Sequence, residues 1–168
     1  MRFALIIFLT LFVFSNSFSQ VPGIKWQKTF GGTNYDDPSR YDSSVADHPK
    51  VFIPIKSGGY FIAGTTQSNN GDMIGNHGIS DIWIARLDTA RNIIWKNCYG
   101  GTSRETFGSI QQVGDDGFIL IGSTYSNNGD VSGNHGQEDI WVVRLNMDGE
   151  ILWQNCFGGT ANDQGNYI

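Results

Sequence analysis

The feature that most constrains this chain is its repetition of itself at an offset of 58 residues. Ser68-Asn-Asn-Gly-Asp72 returns as Ser126-Asn-Asn-Gly-Asp130, and Gly75-Asn-His-Gly78 returns as Gly133-Asn-His-Gly136. Asp81-Ile-Trp83 matches Asp139-Ile-Trp141, and Trp95-Lys-Asn-Cys98 matches Trp153-Gln-Asn-Cys156. Residues 58–102 and 116–160 share 24 identities in 45 positions. A chain built this way folds as an array of like units, each burying its apolar face against the next.

Each unit divides into four short apolar stretches separated by turn residues. In the second copy these are Ser109–Val113, Phe118–Ser123, Ile140–Leu145 and Glu150–Cys156. Gly114-Asp-Asp-Gly117 and Met147-Asp-Gly149 make the tight turns, and a Gly/Asn-rich loop runs from Ser126 to Gly136. Stretches of this length with Gly, Asn and Asp punctuation predict antiparallel hairpins. No segment beyond the extreme N-terminus holds a helical period. The expected class is all-β, with four-stranded antiparallel blades of a β-propeller, two complete and flanked by partial ones. Strands such as Tyr60–Ala63 and Ile82–Leu87 are apolar at nearly every position, so both faces of a blade expect cover. Two stacked blades are expected to leave their outer faces wet.

The earliest Trp segment, Trp26-Gln-Lys-Thr-Phe-Gly-Gly32, lies 69 residues before its second copy, so 11 extra residues fall between Asp37 and Val51. The stretch 38–50 reads as an inserted loop, the only non-repeated one, and any specificity is expected there. Exchanging it for the short equivalent near Phe107–Gly108 should abolish binding. A further copy starts at Thr160. Lys25–Phe30 reads as a fourth strand without its own first three, which is what ring closure from both termini uses. Two blades fall short of the roughly four to eight that close a ring. The remaining blades are expected from a longer chain, of which this is a fragment, or from self-association.

Taken together, WQKTFGGT (26–33), WKNCYGGT (95–102), WQNCFGGT (153–160), the SNNGD loops and the DIW[IV]xRL strands resemble a family of bacterial secreted β-propeller repeats, the SBBP-type or delta-60-like repeats. The resemblance spans essentially the whole chain after residue 19. It implies a propeller fold and an extracellular setting, as in surface proteins exported by the type IX system, and it brings no agreed catalytic residues. Leu145-Asn-Met-Asp-Gly-Glu-Ile-Leu-Trp153 also looks like the tryptophan-docking motif of quinoprotein propellers. That likeness implies that Trp26, Trp95 and Trp153 pack blade to blade.

Met1-Arg-Phe3, the apolar run Ala4–Phe14 and the small residues Ser17 and Ser19 form a signal peptide over 1–19, cut before Gln20. Eleven apolar residues are too few to span a bilayer, so no membrane span is expected after cleavage. The protein is expected to be secreted or held on the outer surface of a bacterium. With 11 basic and 16 acidic residues the net charge is −5, which leaves no basic face for nucleic acid. Charged residues at 16% and aromatics at 13% are the reverse of a disordered composition.

Cys98 and Cys156 occupy the same place in successive units. Packed sheets lie about 10 Å apart, beyond the reach of a disulfide, so both are expected as free thiols packed as small apolar groups. The loops 68–78 and 126–136 are the leading functional candidates. Asp72, Asn76 and Asp81, or Asp130, Asn134 and Asp139, offer oxygens to Ca²⁺, but the spacing is not that of an EF-hand. Turn chemistry, with Asn and Asp capping local backbone, is the competing reading. His77 and His135 come one per unit, and His48 lies in the insertion. The acidic residue four after the second Gly of each GG pair recurs as Asp36, Glu105 and Asp163, and is expected to accept hydrogen bonds from backbone at the crossing between blades. No Ser/His/Asp constellation is visible. The expectation is a non-enzymatic scaffold meeting a protein or glycan, with no catalytic or cofactor-binding residue. The alternative is part of a propeller enzyme, quinoprotein-like or hydrolytic, with its active site in other blades.

Overall fold

The computed structural model describes residues 26–32 and 48–168. Residues 1–19, read as a signal peptide, together with Lys25, Asp36 and the expected insertion up to residue 47, lie outside the described residues. Within them the chain forms eight strands and no helix. β1 (His48–Pro54), β2 (Tyr60–Thr66), β3 (Asp81–Leu87) and β4 (Ile93–Tyr99) make the first sheet. β5 (Glu105–Val113), β6 (Gly117–Thr124), β7 (Asp139–Asn146) and β8 (Ile151–Phe157) make the second. Both are antiparallel meanders in sequence order. The expected all-β class with four-stranded antiparallel sheets is therefore correct, and the two sheets do not close on one another.

The sequence offset reappears as identical strand register. Trp83 pairs with Cys98 and Trp141 with Cys156, while Thr66 pairs with Asp81 and Thr124 with Asp139. Side chains alternate across a strand, so this register decides which residues share a face. The strands run one to four residues beyond the apolar stretches at most ends, because ladder pairing continues into the polar residues that flank them. Glu105 and Asp139, buried strand starts, are the main case.

Two sequence expectations are corrected. His48–Lys50, placed in the insertion, belongs to β1: His48 pairs with Thr65 and Pro49 with Gly64, as Thr106 and Phe107 pair with Ser123 and Gly122. A bulge follows in both sheets, at Lys50 and at Gly108. The loop exchange must therefore stop at residue 47. Lys25–Phe30 was expected as a fourth strand, and its described part, Trp26–Phe30, carries no strand pairing, because none of the described segments lies alongside it as a ladder partner.

The sheets stack face to face. Phe61, Ala63, Ile82 and Ile84 of the first sheet pack with Phe118, Leu120, Trp141, Val143 and Leu145 of the second, all with at most 2% exposure. Phe61 meets Phe118 edge-on with centroids 4.0 Å apart. The other face of the first sheet holds Ile62, Trp83, Ala85, Leu87 and Cys98, with Met73 and Phe30 over them. Phe30 lies 6.0 Å from Trp83, so this outer face is partly covered and not wet as expected. On the far side of the second sheet, a Cβ on Gly165 would meet Ile121 and Ile140, so the C-terminal segment covers part of that face too.

The repeated tryptophan joins one sheet to the next. Trp95 Nε1 donates to the Met147 carbonyl at 3.0 Å, and the ring lies against Gly149 in the β7–β8 turn. That turn needs a left-handed residue: Gly149 has φ 83°, and the first sheet supplies Arg91 at φ 71° in the equivalent place. Arg91 stacks its guanidinium 5.0 Å from the Trp26 ring, so the same docking recurs with a cation–π contact. Replacing Phe61 by Ala removes the ring that fills the seam, and urea unfolding should show a loss of about 3–5 kcal/mol. A loss under 1 kcal/mol would show that the sheets are not held together at this contact.

Candidate functional site

The chain leaves β4 at Tyr99 and reaches β5 at Glu105 through Gly100-Gly101-Thr102-Ser103. This crossing is held almost entirely by carboxylates and loop amides. The Gly101 N–H donates to Glu105 Oε2 at 2.8 Å, and the Thr124 hydroxyl donates to Glu105 Oε1 at 2.6 Å. The Gly100 N–H donates to Asp130 Oδ2 at 3.1 Å. A Cβ on Gly100 would sit 2.3 Å from Glu105 Oε2 and 2.7 Å from Asp81 Oδ1, so only glycine fits. Next along the chain the arrangement repeats: Gly159 N–H donates to Asp163 Oδ2 at 2.8 Å, and a Cβ on Gly158 would meet Asp139 and Asp163. The expected backbone role of Glu105 and Asp163 is thus present, and Asp36 lies outside the described residues.

Asp81 and Asp139 are the buried starts of β3 and β7, each with 0% exposure. Asp81 Oδ2 accepts the His77 backbone N–H at 3.0 Å and lies 2.6 Å from His77 Nδ1. Asp139 holds His135 in the same way, at 2.9 and 2.8 Å. The His-Gly-x-x-Asp spacing, present twice in the sequence, was the available signal for this pairing. Both imidazoles are about half exposed while the aspartates they meet are fully buried. Oδ1 of both aspartates is buried and accepts no hydrogen bond within the structure.

Two buried carboxyls, Asp81 and Glu105, thus share the space around one glycine. Burial pushes both above the ordinary carboxylate range; Asp130 adds to this for Asp81, and Asp81 for Glu105. His77 and the hydroxyl and amide donors oppose the rise without overcoming it.

The six residues considered for Ca²⁺ are not gathered into one cage. Asn76 donates to the Thr66 carbonyl and accepts the Gly78 N–H, and Asn134 donates to the Thr124 carbonyl and accepts the Gly136 N–H. Asp72 pairs with Lys96 at 3.3 Å, Asp130 caps Gly100, and Asp81 and Asp139 orient histidines. Among the described residues no three His, Cys, Asp or Glu groups are placed to hold a metal ion. These loops follow turn chemistry. Cys98 and Cys156 are buried and unbridged, and burial, with Asp139 and Glu105 nearby, pushes the Cys156 thiol up to about 11. His48 stands in β1.

Beside this crossing the seam opens into a groove of about 380 Å³, lined by Ile74, His77, Lys96, Asn97, Tyr99, Asp130 and Ile151 among others. Lys96 Nζ also donates to the Gly71 carbonyl at 3.0 Å, which fixes the ammonium near the rim. The Tyr99 hydroxyl donates to the Gly149 carbonyl at 2.7 Å, and its own pKa is raised by burial. The groove therefore offers an amine, an imidazole, an amide and a carboxylate between two apolar side chains. Neither Lys96 nor Asn97 was legible as functional, because Lys96 lies 24 positions from the Asp72 it pairs with and Asn97 meets Gly149 across the seam. The chain matches no known family model, and no curated protein matches it significantly.

The raised carboxyls fix a sign for pH dependence. A folded-state carboxyl pKa above the unfolded value stabilises below the unfolded value, and that contribution is lost as pH rises through the folded one. Unfolding free energy should therefore fall as pH rises from about 4 toward neutrality. Glu105→Gln, which removes one of the two raised carboxyls, should flatten the profile in urea titrations. An unchanged slope in that variant would remove Glu105 as the source.

Proposed function

We propose that the two sheets are blades of a secreted or cell-surface β-propeller, a non-enzymatic scaffold that binds a protein or a glycan. The observation that carries this reading is the groove at the sheet-to-sheet seam, which gathers charged, amide and apolar side chains on one surface. The oriented His77 and His135 recur once per unit, as structural devices do, and burial makes the Cys156 thiol a weaker acid than usual. The strict register repeat and the tryptophan docking support the blade reading. The segment 1–19 supports export, which makes the outer surface the place where such a scaffold works. No observation favours the enzymatic alternative.

The test is a glycan array and a binding assay against extracellular proteins of the source bacterium, run with the intact chain and with Lys96→Ala and Ile74→Asp. Ile74 is exposed, and Lys96 gives up a part-exposed ion pair and one hydrogen bond, so the unfolding free energy should fall by about 1 kcal/mol at most. Binding should fall about tenfold or more, equivalent to about 1.4 kcal/mol. Turnover of a substrate that disappears on mutating one loop residue would overturn the scaffold reading.

A further inference from the structure

The outer face of the second sheet carries a third copy of the docking strand, complete but with no docking partner among the described residues. In the seam already built, Trp95 Nε1 and Asn97 Nδ2 of the first sheet donate to the carbonyls of Met147 and Gly149. Arg86 Nη1 reaches the same Met147 carbonyl at 3.0 Å. The second sheet repeats these donors as Trp153, Asn155 and Arg144. Trp153 is 44% exposed, and neither it nor Asn155 has a side-chain hydrogen bond to a described residue. Arg144 Nη1 turns back onto the carbonyls of its own sheet, Phe118 at 3.1 Å and Leu145 at 2.8 Å. Phe157, in the place of the buried Tyr99, is 54% exposed.

The chain beyond this strand also follows the path of a built seam. Asp163 N–H donates to the Glu138 carbonyl as Glu105 N–H donates to that of Ser80. Gly165 N–H donates to the Ser123 hydroxyl at 3.0 Å, as Phe107 N–H donates to that of Thr65 at 2.9 Å. The surface is thus a continuation of an established interface, with its donors in the same register.

We infer that this face docks the first sheet of a second copy of the same chain. That sheet presents the matching surface: the Asp88–Asn92 turn, with left-handed Arg91 in the place of Gly149, and the apolar face around Trp83. In one copy the surface is held by Trp26–Gly32, whose contacts prove the match. Lys28 Nζ donates to the Arg91 carbonyl, and Asp72 N–H donates to that of Gly31 as Asp130 N–H donates to that of Gly100. Trp26–Gly32 has no strand pairing, whereas Trp153–Phe157 is held in register by β7. The incoming strand is already ordered, so it loses less conformational freedom on docking than Trp26–Gly32 does, and the translational freedom it gives up makes the displacement depend on concentration. A front-to-back contact of this kind is heterologous and closes into a ring or grows as a filament. If the sheets are propeller blades, as proposed above, closure at roughly four to eight blades takes two to four copies.

The experiment is sedimentation velocity on the intact chain over a concentration series. The expected result is concentration-dependent assembly to two copies or more, with Trp153→Ala shifting the midpoint at least tenfold toward monomer. A second measurement does not depend on how that variant folds. Asn155→Cys and Arg91→Cys chains, prepared separately and mixed under mild oxidation, should form a mixed disulfide between copies. Monomer at every concentration, together with no mixed disulfide, overturns the inference and leaves the face for a different occupant. Groove binding by Lys96 and Ile74 is read separately, so loss of either result does not decide the other.

Discussion

A four-stranded sheet with apolar residues on both faces cannot remain alone in water, and the rest of this molecule follows from that constraint. β2 and β3 carry Phe61, Ala63, Ile82 and Ile84 to one side and Ile62, Trp83, Ala85 and Leu87 to the other. One side is satisfied by the second sheet. The other takes a short N-terminal segment, whose Phe30 stands where Tyr99 stands in the main seam. Hydrophobic burial is non-directional, so burial alone would permit many relative placements of the sheets. The tryptophan of the fourth strand removes that freedom: its Nε1 must meet one carbonyl, and its ring one left-handed turn residue.

Sheets stacked so closely leave little room for the chain that joins them, and this accounts for the chemistry of the crossing. Gly100 and Gly101 give the backbone its close approach, and Glu105 and Asp130 accept the amides that the crossing exposes. The consequence is a pair of buried carboxyls, Asp81 and Glu105, that gain from keeping a proton. The same geometry makes the neighbouring groove, since the loop before β3 and the edge of β4 diverge just where the second sheet's turn comes in. The groove and the acid pair are two results of one packing decision.

Much of the fold was legible because repetition exposes it. An offset of 58 shared by turns, loops and strands forces the same register on both sheets, and the Gly, Asn and Asp positions mark where the strands end. The carboxylate four residues after each GG pair was legible as a backbone acceptor for the same reason. The start of β1 was not, because His48, Pro49 and Lys50 share no residue type with Thr106, Phe107 and Gly108, and only ladder pairing reveals the equivalence. Nor was the state of Trp26–Gly32, since the same motif is a paired strand at 95–99 and an unpaired segment here. Whether a strand forms depends on the presence of a neighbour, and no local sequence signal encodes that.

By itself the sequence determined the all-β class, the four-strand unit, the turn positions and the two unbridged cysteines, because periodicity, turn chemistry and sheet spacing are local or additive properties. Only the tertiary structure decided which face of each sheet meets which, that Asp81 orients His77 while sharing space with Glu105, and that Lys96, Asn97 and Asp130 line one groove. Those residues are separated by up to 53 positions in sequence. They meet because face-to-face packing and one tryptophan hydrogen bond fix the distance and the angle between sheets.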